Sequence, residues 1–285
     1  MELEQNLAGD RISAADNATA NGVGPNNPPW GPFEGLGVWF ASVLCTLIVP
    51  AAFLLPYLAL HQPRIVDNDQ LVEFAKSDPT AVILQIAAVL PAHLLTFLIA
   101  WLVITRFRKY NFREMVGWQT GGGRMWLSFL GLILMFFAIS IVVSQISAEQ
   151  DNDLLKILRS SRAAVYIIAF ISVATAPFVE EVVYRGVLYS AFQRWIGVPG
   201  AFLLTTLLFA LVHVPQYWPS YSTIFLLTLL SLILTAIRVR TNNLLPCIIF
   251  HTIFNGLESI SIMTSTLTPK ADLPDPTGLV LHLFR

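Results

Sequence analysis

Residues 36–60 read LGVWFASVLCTLIVPAAFLLPYLAL, twenty-five residues without one Asp, Glu, Lys, Arg or His. A helix needs about 20 mostly apolar residues to cross a bilayer, because hydrocarbon offers no partner to a free backbone N–H or C=O. This stretch satisfies that length, and so do 80–105, 124–147, 163–195, 199–217, 221–239 and 243–264. The expectation is an all-α fold, a polytopic membrane helical bundle of about seven transmembrane helices. Pro177 interrupts the long stretch 163–195, so the count ranges from six to eight. Composition agrees. Of 285 residues, 55% are hydrophobic and 12% charged, against roughly a quarter charged in a soluble domain. Too little polar surface remains to coat a water-soluble globule, which excludes a soluble enzyme, a disordered chain and a nucleic-acid binder. The net charge of −1 supplies no global steering field. Cys45 and Cys247 both lie in apolar runs and read as small core residues.

Working outward, residues 1–35 are rich in Asn, Ala, Gly and Pro and are expected to form a disordered polar tail. The bundle then occupies 36–264, and 265–285 forms a short C-terminal tail whose Gly278–Phe284 run is too short to span. Orientation follows the Lys and Arg of the short loops. Arg106, Arg108, Lys109, Arg113 and Arg124 follow the second span, and Arg238 and Arg240 follow the sixth. With alternating spans these loops share a side, expected to be cytoplasmic together with the N-terminus. The location is an integral, multi-pass membrane, the cell (plasma) membrane if the chain is bacterial.

An ionisable group at mid-bilayer costs some 2.5–3.5 kcal/mol on insertion scales, so each one inside an apolar stretch is a functional candidate. There are eight: His93, Glu180, Glu181, Arg185, Arg194, His213, His251 and Glu258. In Glu180-Glu181-Val182-Val183-Tyr184-Arg185, helical spacing puts Glu181 and Arg185 on one face at i,i+4, where they can pair. Glu180 points about 100° away. Glu181 would be held ionised by the guanidinium, while Glu180, in a drier site beside a like charge, is suited to taking a proton from water. The plainer reading is an interfacial ion pair at a helix end. Phe209 and His213 also share a face at i,i+4, so the ring can orient the imidazole; a membrane histidine can equally be bonded to a neighbouring helix. His251 and Asn255 share a face too, offering two donors to one point as an oxyanion hole does, or two groups for interhelical hydrogen bonding. His93 has no polar i,i+4 partner and reads as structural. Glu258 reads as an interfacial charge or an outer partner of His251.

These three patterns, E-E-x-x-x-R, F-x-x-x-H and H-x-x-x-N on successive helices, resemble the CPBP family of intramembrane proteases, which includes the CAAX prenyl endopeptidases and bacterial Abi proteins. The resemblance covers 160–262, and its patterned positions hold five of the eight intramembrane ionisable residues. No motif position departs from the family pattern. It implies catalytic roles for Glu180, Glu181, Arg185, His213, His251 and Asn255. Glu180 activates a water, His213 positions it and shuttles a proton, His251 and Asn255 stabilise the oxyanion, and Glu181 with Arg185 holds the geometry. It also implies a conical cavity opening to the cytoplasm and bilayer. The partners implied are membrane lipids and a membrane-associated or lipidated protein or peptide substrate, with no cofactor.

Three other readings compete. Glu180, His213 and His251 could hold zinc, although soluble zinc proteases usually place two histidines at i,i+4 on one helix. The same fold could serve as a non-proteolytic scaffold or a bacteriocin-immunity-type protein. Buried carboxylates could also relay protons in a transporter, against which stands the lack of a repeated half or paired broken helices.

Overall fold

The computed structural model describes residues 22–61, 67–147 and 152–267, and these form an all-α bundle. The expected tail segments 1–21 and 268–285, the Gly278–Phe284 run included, lie outside the described residues. The elements are α1 (Pro32–His61), α2 (Asn68–Ser77), α3 (Pro79–Ala87), α4 (Val89–Thr105), α5 (Phe112–Val116), α6 (Gly123–Ile146), α7 (Asp153–Ser160), α8 (Arg162–Ala174) and α9 (Ala176–Glu181). A π-helical segment, Val182–Leu188, leads into α10 (Tyr189–Tyr217), followed by α11 (Tyr221–Thr241) and α12 (Leu245–Leu267). Starts are set by ordinary capping chemistry. Asp78 accepts from Ala81 N at 2.8 Å with Pro79 in the first turn, and Asn152 accepts from Leu155 N at 2.9 Å.

Among the described residues, six helical stretches are long and apolar enough to cross a membrane. One of them, Arg162–Tyr217, has 56 residues, about 84 Å of straight helix against a hydrocarbon core of about 30 Å. It doubles back at Gly197, whose φ of +72° and ψ of 172° are not helical. Only a residue without Cβ takes that conformation readily. The rings of Tyr184 and Phe209 prove the reversal: their centroids are 5.0 Å apart, whereas 25 residues of straight helix would separate them by about 37 Å. The six stretches therefore make seven crossings. Large apolar residues cover the outside, with Phe40 57%, Leu47 64% and Leu134 61% exposed, as a surface solvated by lipid requires.

The fold corrects the expectation that 1–35 is a disordered tail. Within it, 22–31 is packed: Trp30 is 1% exposed and its Nε1–H donates to the Val187 carbonyl at 3.0 Å. Gln193 and Arg194 bond to carbonyls of Pro25 and Pro28, and Arg106 pairs with Glu34 and the Pro29 carbonyl. The average polarity of the segment conceals one deeply buried indole. On the same face, Asn243 and Gln119 exchange hydrogen bonds between the loops 106–122 and 242–244. Gly117 has φ +70°, and a Cβ there would lie 2.1 Å from the Asn242 carbonyl oxygen. One end of the bundle thus gathers the 22–31 segment, both basic loops and the Gly197 turn, and the short helices α2 and α7 lie at the other. Arg238 departs from its expected place among loop cations. It is fully buried, donating through Nε to the Arg185 carbonyl at 3.0 Å and through Nη2 to Ser190 Oγ at 3.1 Å.

Candidate active site

The three motifs meet around one cavity of about 670 Å³. Its floor is the junction of α9 with the π-helical segment. Helix α8 stops at Ala174 and restarts at Ala176 with Pro177 in the first turn, because proline offers no N–H to continue the ladder. The π-helical segment begins directly after Glu181. Such segments are uncommon and concentrate at functional sites.

The two adjacent carboxylates are treated differently, but the drier site belongs to Glu181 and not, as expected, to Glu180. Glu181 and Arg185 are both 0% exposed and paired at 2.9 Å. Arg185 also donates to Ser231 Oγ at 2.7 Å and the Ser231 carbonyl at 3.0 Å, and lies 4.8 Å above the Phe209 ring. These partners satisfy a charge with no access to water. Glu180, by contrast, lines the cavity with a quarter of its side chain exposed.

His251 stands between them. Its Nδ1 is 2.9 Å from Glu181 Oε1, and its Nε2 is 3.8 Å from Glu180 Oε2. A carboxylate held by arginine can only accept, so Nδ1 carries a hydrogen and Nε2 is turned to the Glu180 side. His213 is fixed the same way. Its Nδ1 donates to the Phe209 carbonyl at 2.7 Å, and its ring packs on the Phe209 ring at 4.7 Å. The i,i+4 spacing therefore orients the imidazole through both the ring and the backbone.

The expected pairing of His251 and Asn255 as two converging donors is corrected. Asn255 Nδ2 donates to the Ser172 carbonyl at 2.7 Å, and His251 donates to Glu181. Both residues line the cavity, but the bonds they make hold α12 against α8 and α9. Ser259, one turn further on, repeats that link to Ser172 Oγ at 3.1 Å. The zinc arrangement finds no support in the geometry either: among the described residues no three His, Cys, Asp or Glu groups are placed to hold one ion.

With this geometry established, comparison with known proteins addresses the motif-bearing part. Residues 162–257, about a third of the chain, match the family model described as type II CAAX prenyl endopeptidase Rce1-like. This segment is Rce1-like. No curated protein and no solved structure gives a match. The matched segment holds all seven motif residues, from Glu180 to Asn255, and the apolar spans make the chain a multi-pass membrane protein.

One cavity residue lies outside that segment and was read from sequence as structural. His93 on α4 lines the cavity, and its Nδ1 is 2.8 Å from Thr175 Oγ1. That hydroxyl also lies 3.2 Å from the Ile171 carbonyl, to which it can donate. Thr175 sits 82 residues from His93 in sequence, beyond any helical spacing rule. Glu258 is exposed on the cavity wall.

The cavity lies in the half of the bundle away from the basic loops. On the side of the basic loops, Trp30, Tyr184, Val187, Leu188 and Phe192 form a core in which none exceeds 4% exposure. The cavity walls come instead from the other halves of the spans, and Leu154, Leu155 and Leu158 of α7 join them. Basic loops inside and a cytoplasmic opening cannot both hold.

Proposed function

We propose that the protein is an intramembrane endopeptidase in which Glu180 activates water for attack on a peptide bond. The observation that carries this reading is the division of labour between the carboxylates: Glu181 sealed between Arg185 and His251, Glu180 open to the cavity. A base must reach the proton it takes and must not be neutralised by a fixed cation.

Water bound at Glu180 Oε2 gives one proton to Glu180 as its oxygen bonds to the substrate carbonyl carbon, its other hydrogen directed at His213 Nε2. The oxyanion is met by the second amide hydrogen of Asn255, the first being committed to Ser172. Glu180 then passes its proton to the nitrogen as the C–N bond breaks, leaving a carboxyl and an amine. His213, oriented by Phe209, holds the attacking water through Nε2. The substrate is a membrane-associated or lipidated peptide, consistent with apolar cavity walls such as Val183, Val212 and Ile262.

The test is hydrolysis of internally quenched peptides by the full chain reconstituted in lipid nanodiscs, with products sequenced by mass spectrometry. Time-dependent cleavage at defined bonds supports the reading. Failure to cut any member of a broad peptide set, lipidated members included, contradicts it and favours the scaffold alternative.

A further inference from the structure

An oxyanion formed beside Glu180 needs donors aimed at it before the reaction starts. Of the two groups expected there, His251 gives its Nδ1–H to Glu181, and Asn255 gives one amide hydrogen to the Ser172 carbonyl. The second amide hydrogen of Asn255 remains. A further donor stands on the π-helical segment itself.

Tyr184 follows Glu180 by four positions, and both residues line the cavity. Aromatic side chains on a helix lean towards its N-terminus, over the turn that precedes them, and here that turn bears Glu180. Of the charges around the phenol, that of Glu180 acts on it most strongly. The ring is held firmly. It packs edge to face on Phe209 with centroids 5.0 Å apart, and the residue is 4% exposed. The same Phe209 ring carries His213 at 4.7 Å, so one side chain places both the phenol and the imidazole.

The hydroxyl is also fixed in polarity. Trp39 Nε1 lies 3.2 Å from the Tyr184 hydroxyl oxygen. An indole N–H can only donate, so the phenol oxygen accepts and its own hydrogen is left to give. Among the described residues that hydrogen has no acceptor. Native proteins seldom keep a buried donor unpaired without a use for it. Ring packing alone asks only for phenylalanine at this position. Trp39 comes from α1, outside the matched segment, and sits one turn before Ser42, which lines the cavity and donates to the Trp39 carbonyl at 2.6 Å. The indole therefore holds the phenol at the edge of the cavity and leaves its O–H free for whatever enters.

We propose that Tyr184 is a catalytic residue, whose O–H, held by Trp39, donates to the substrate oxygen that becomes the oxyanion. The assignment rests on the protease reading. As the water oxygen bonds to the carbonyl carbon, the π electrons of C=O move onto that oxygen, and the hydrogen bond from the phenol tightens without transfer of its proton. When the C–N bond breaks and C=O re-forms, the phenol is unchanged. A phenol keeps its proton at neutral pH and so remains a donor throughout.

The test is Tyr184→Phe in the full chain, reconstituted in nanodiscs with a quenched peptide that wild type cleaves. The variant keeps the ring and its contact with Phe209. Loss of one oxyanion donor lowers kcat by about 10²–10³, so a fall of that size is expected, with KM changed by no more than about twofold and melting close to wild type. Trp39→Phe removes the group that holds the hydroxyl. It should lower kcat by a smaller factor, and combined with Tyr184→Phe it should lower kcat no further. A double variant that loses both factors in full overturns the role of the indole. A folded Tyr184→Phe that cleaves at the wild-type rate overturns the assignment and leaves Glu180 as the base. Lost activity together with a collapsed melt makes Tyr184 a packing residue, which overturns it as well. Absence of any cleavage by wild type sinks the protease reading itself, and this assignment with it.

Discussion

Replacing Glu181 with glutamine removes one negative charge from a place where no water can compensate. In the native site Glu181 Oε1 receives Arg185 Nη1 and His251 Nδ1, each at 2.9 Å, and neither Glu181 nor Arg185 is exposed. Glutamine keeps an oxygen that can accept both bonds, so the geometry persists and the charge is lost. Removing one member of a fully buried pair costs about 3–5 kcal/mol, chiefly because the other is left uncompensated. At 1.4 kcal/mol per factor of ten, the ratio of folded to unfolded protein falls by about 10²–10³·⁵. Using about 2–4 °C per kcal/mol for a chain of this size class, melting should drop by roughly 6–20 °C. The assay is thermal unfolding of wild type and variant in one lipid or detergent, followed by intrinsic tryptophan fluorescence. A double variant, Glu181→Gln with Arg185→Met, removes the stranded cation and should regain at least half of the loss, although Ser231 then lacks its donor. It should regain no activity, because His251 still lacks its anionic partner. Wild-type melting in Glu181→Gln would refute the reasoning, since it would mean that Arg185 is solvated or paired elsewhere.

Two further outcomes follow from the same geometry. Trp30→Ala empties the largest side chain of the core beneath the site and deletes its bond to Val187, costing about 3–5 kcal/mol; melting should fall accordingly, and an unchanged melt would return 22–31 to the status of a loose tail. Chelation should leave wild-type cleavage intact, because no three ligand groups converge among the described residues; loss of activity in EDTA with recovery on adding zinc would overturn a metal-free mechanism.

The helical fold and the motif residues were legible in the sequence for one reason: a membrane penalises charge, so the few ionisable residues left in apolar stretches stand out. Glu181 with Arg185 and Phe209 with His213 could be paired from i,i+4 spacing, and both pairings are present in the structure. What spacing could not supply was partners on other helices. Asn255 turns to the Ser172 carbonyl, His93 to Thr175, and Arg238 inward to the Arg185 carbonyl. Each lies more than 50 positions from its partner. Trp30 was hidden by its polar neighbours, because averaging over a window erases a single buried ring. The position of the cavity was illegible for another reason. It depends on which half of each span packs tightly, and hydropathy is nearly the same along both halves.

The central claim is that Glu180 is the base, and cleavage by Glu180→Gln tests it most directly. The variant should fold and melt like wild type, since Glu180 is partly exposed and has no fixed cation to strand. Measured beside wild type on the same quenched peptide, in the same nanodiscs and at equal protein, its turnover should be lower by about 10²–10⁴, the usual worth of a positioned general base. Near-wild-type cleavage by a folded Glu180→Gln would contradict the account and move the catalytic role to another residue of the cavity.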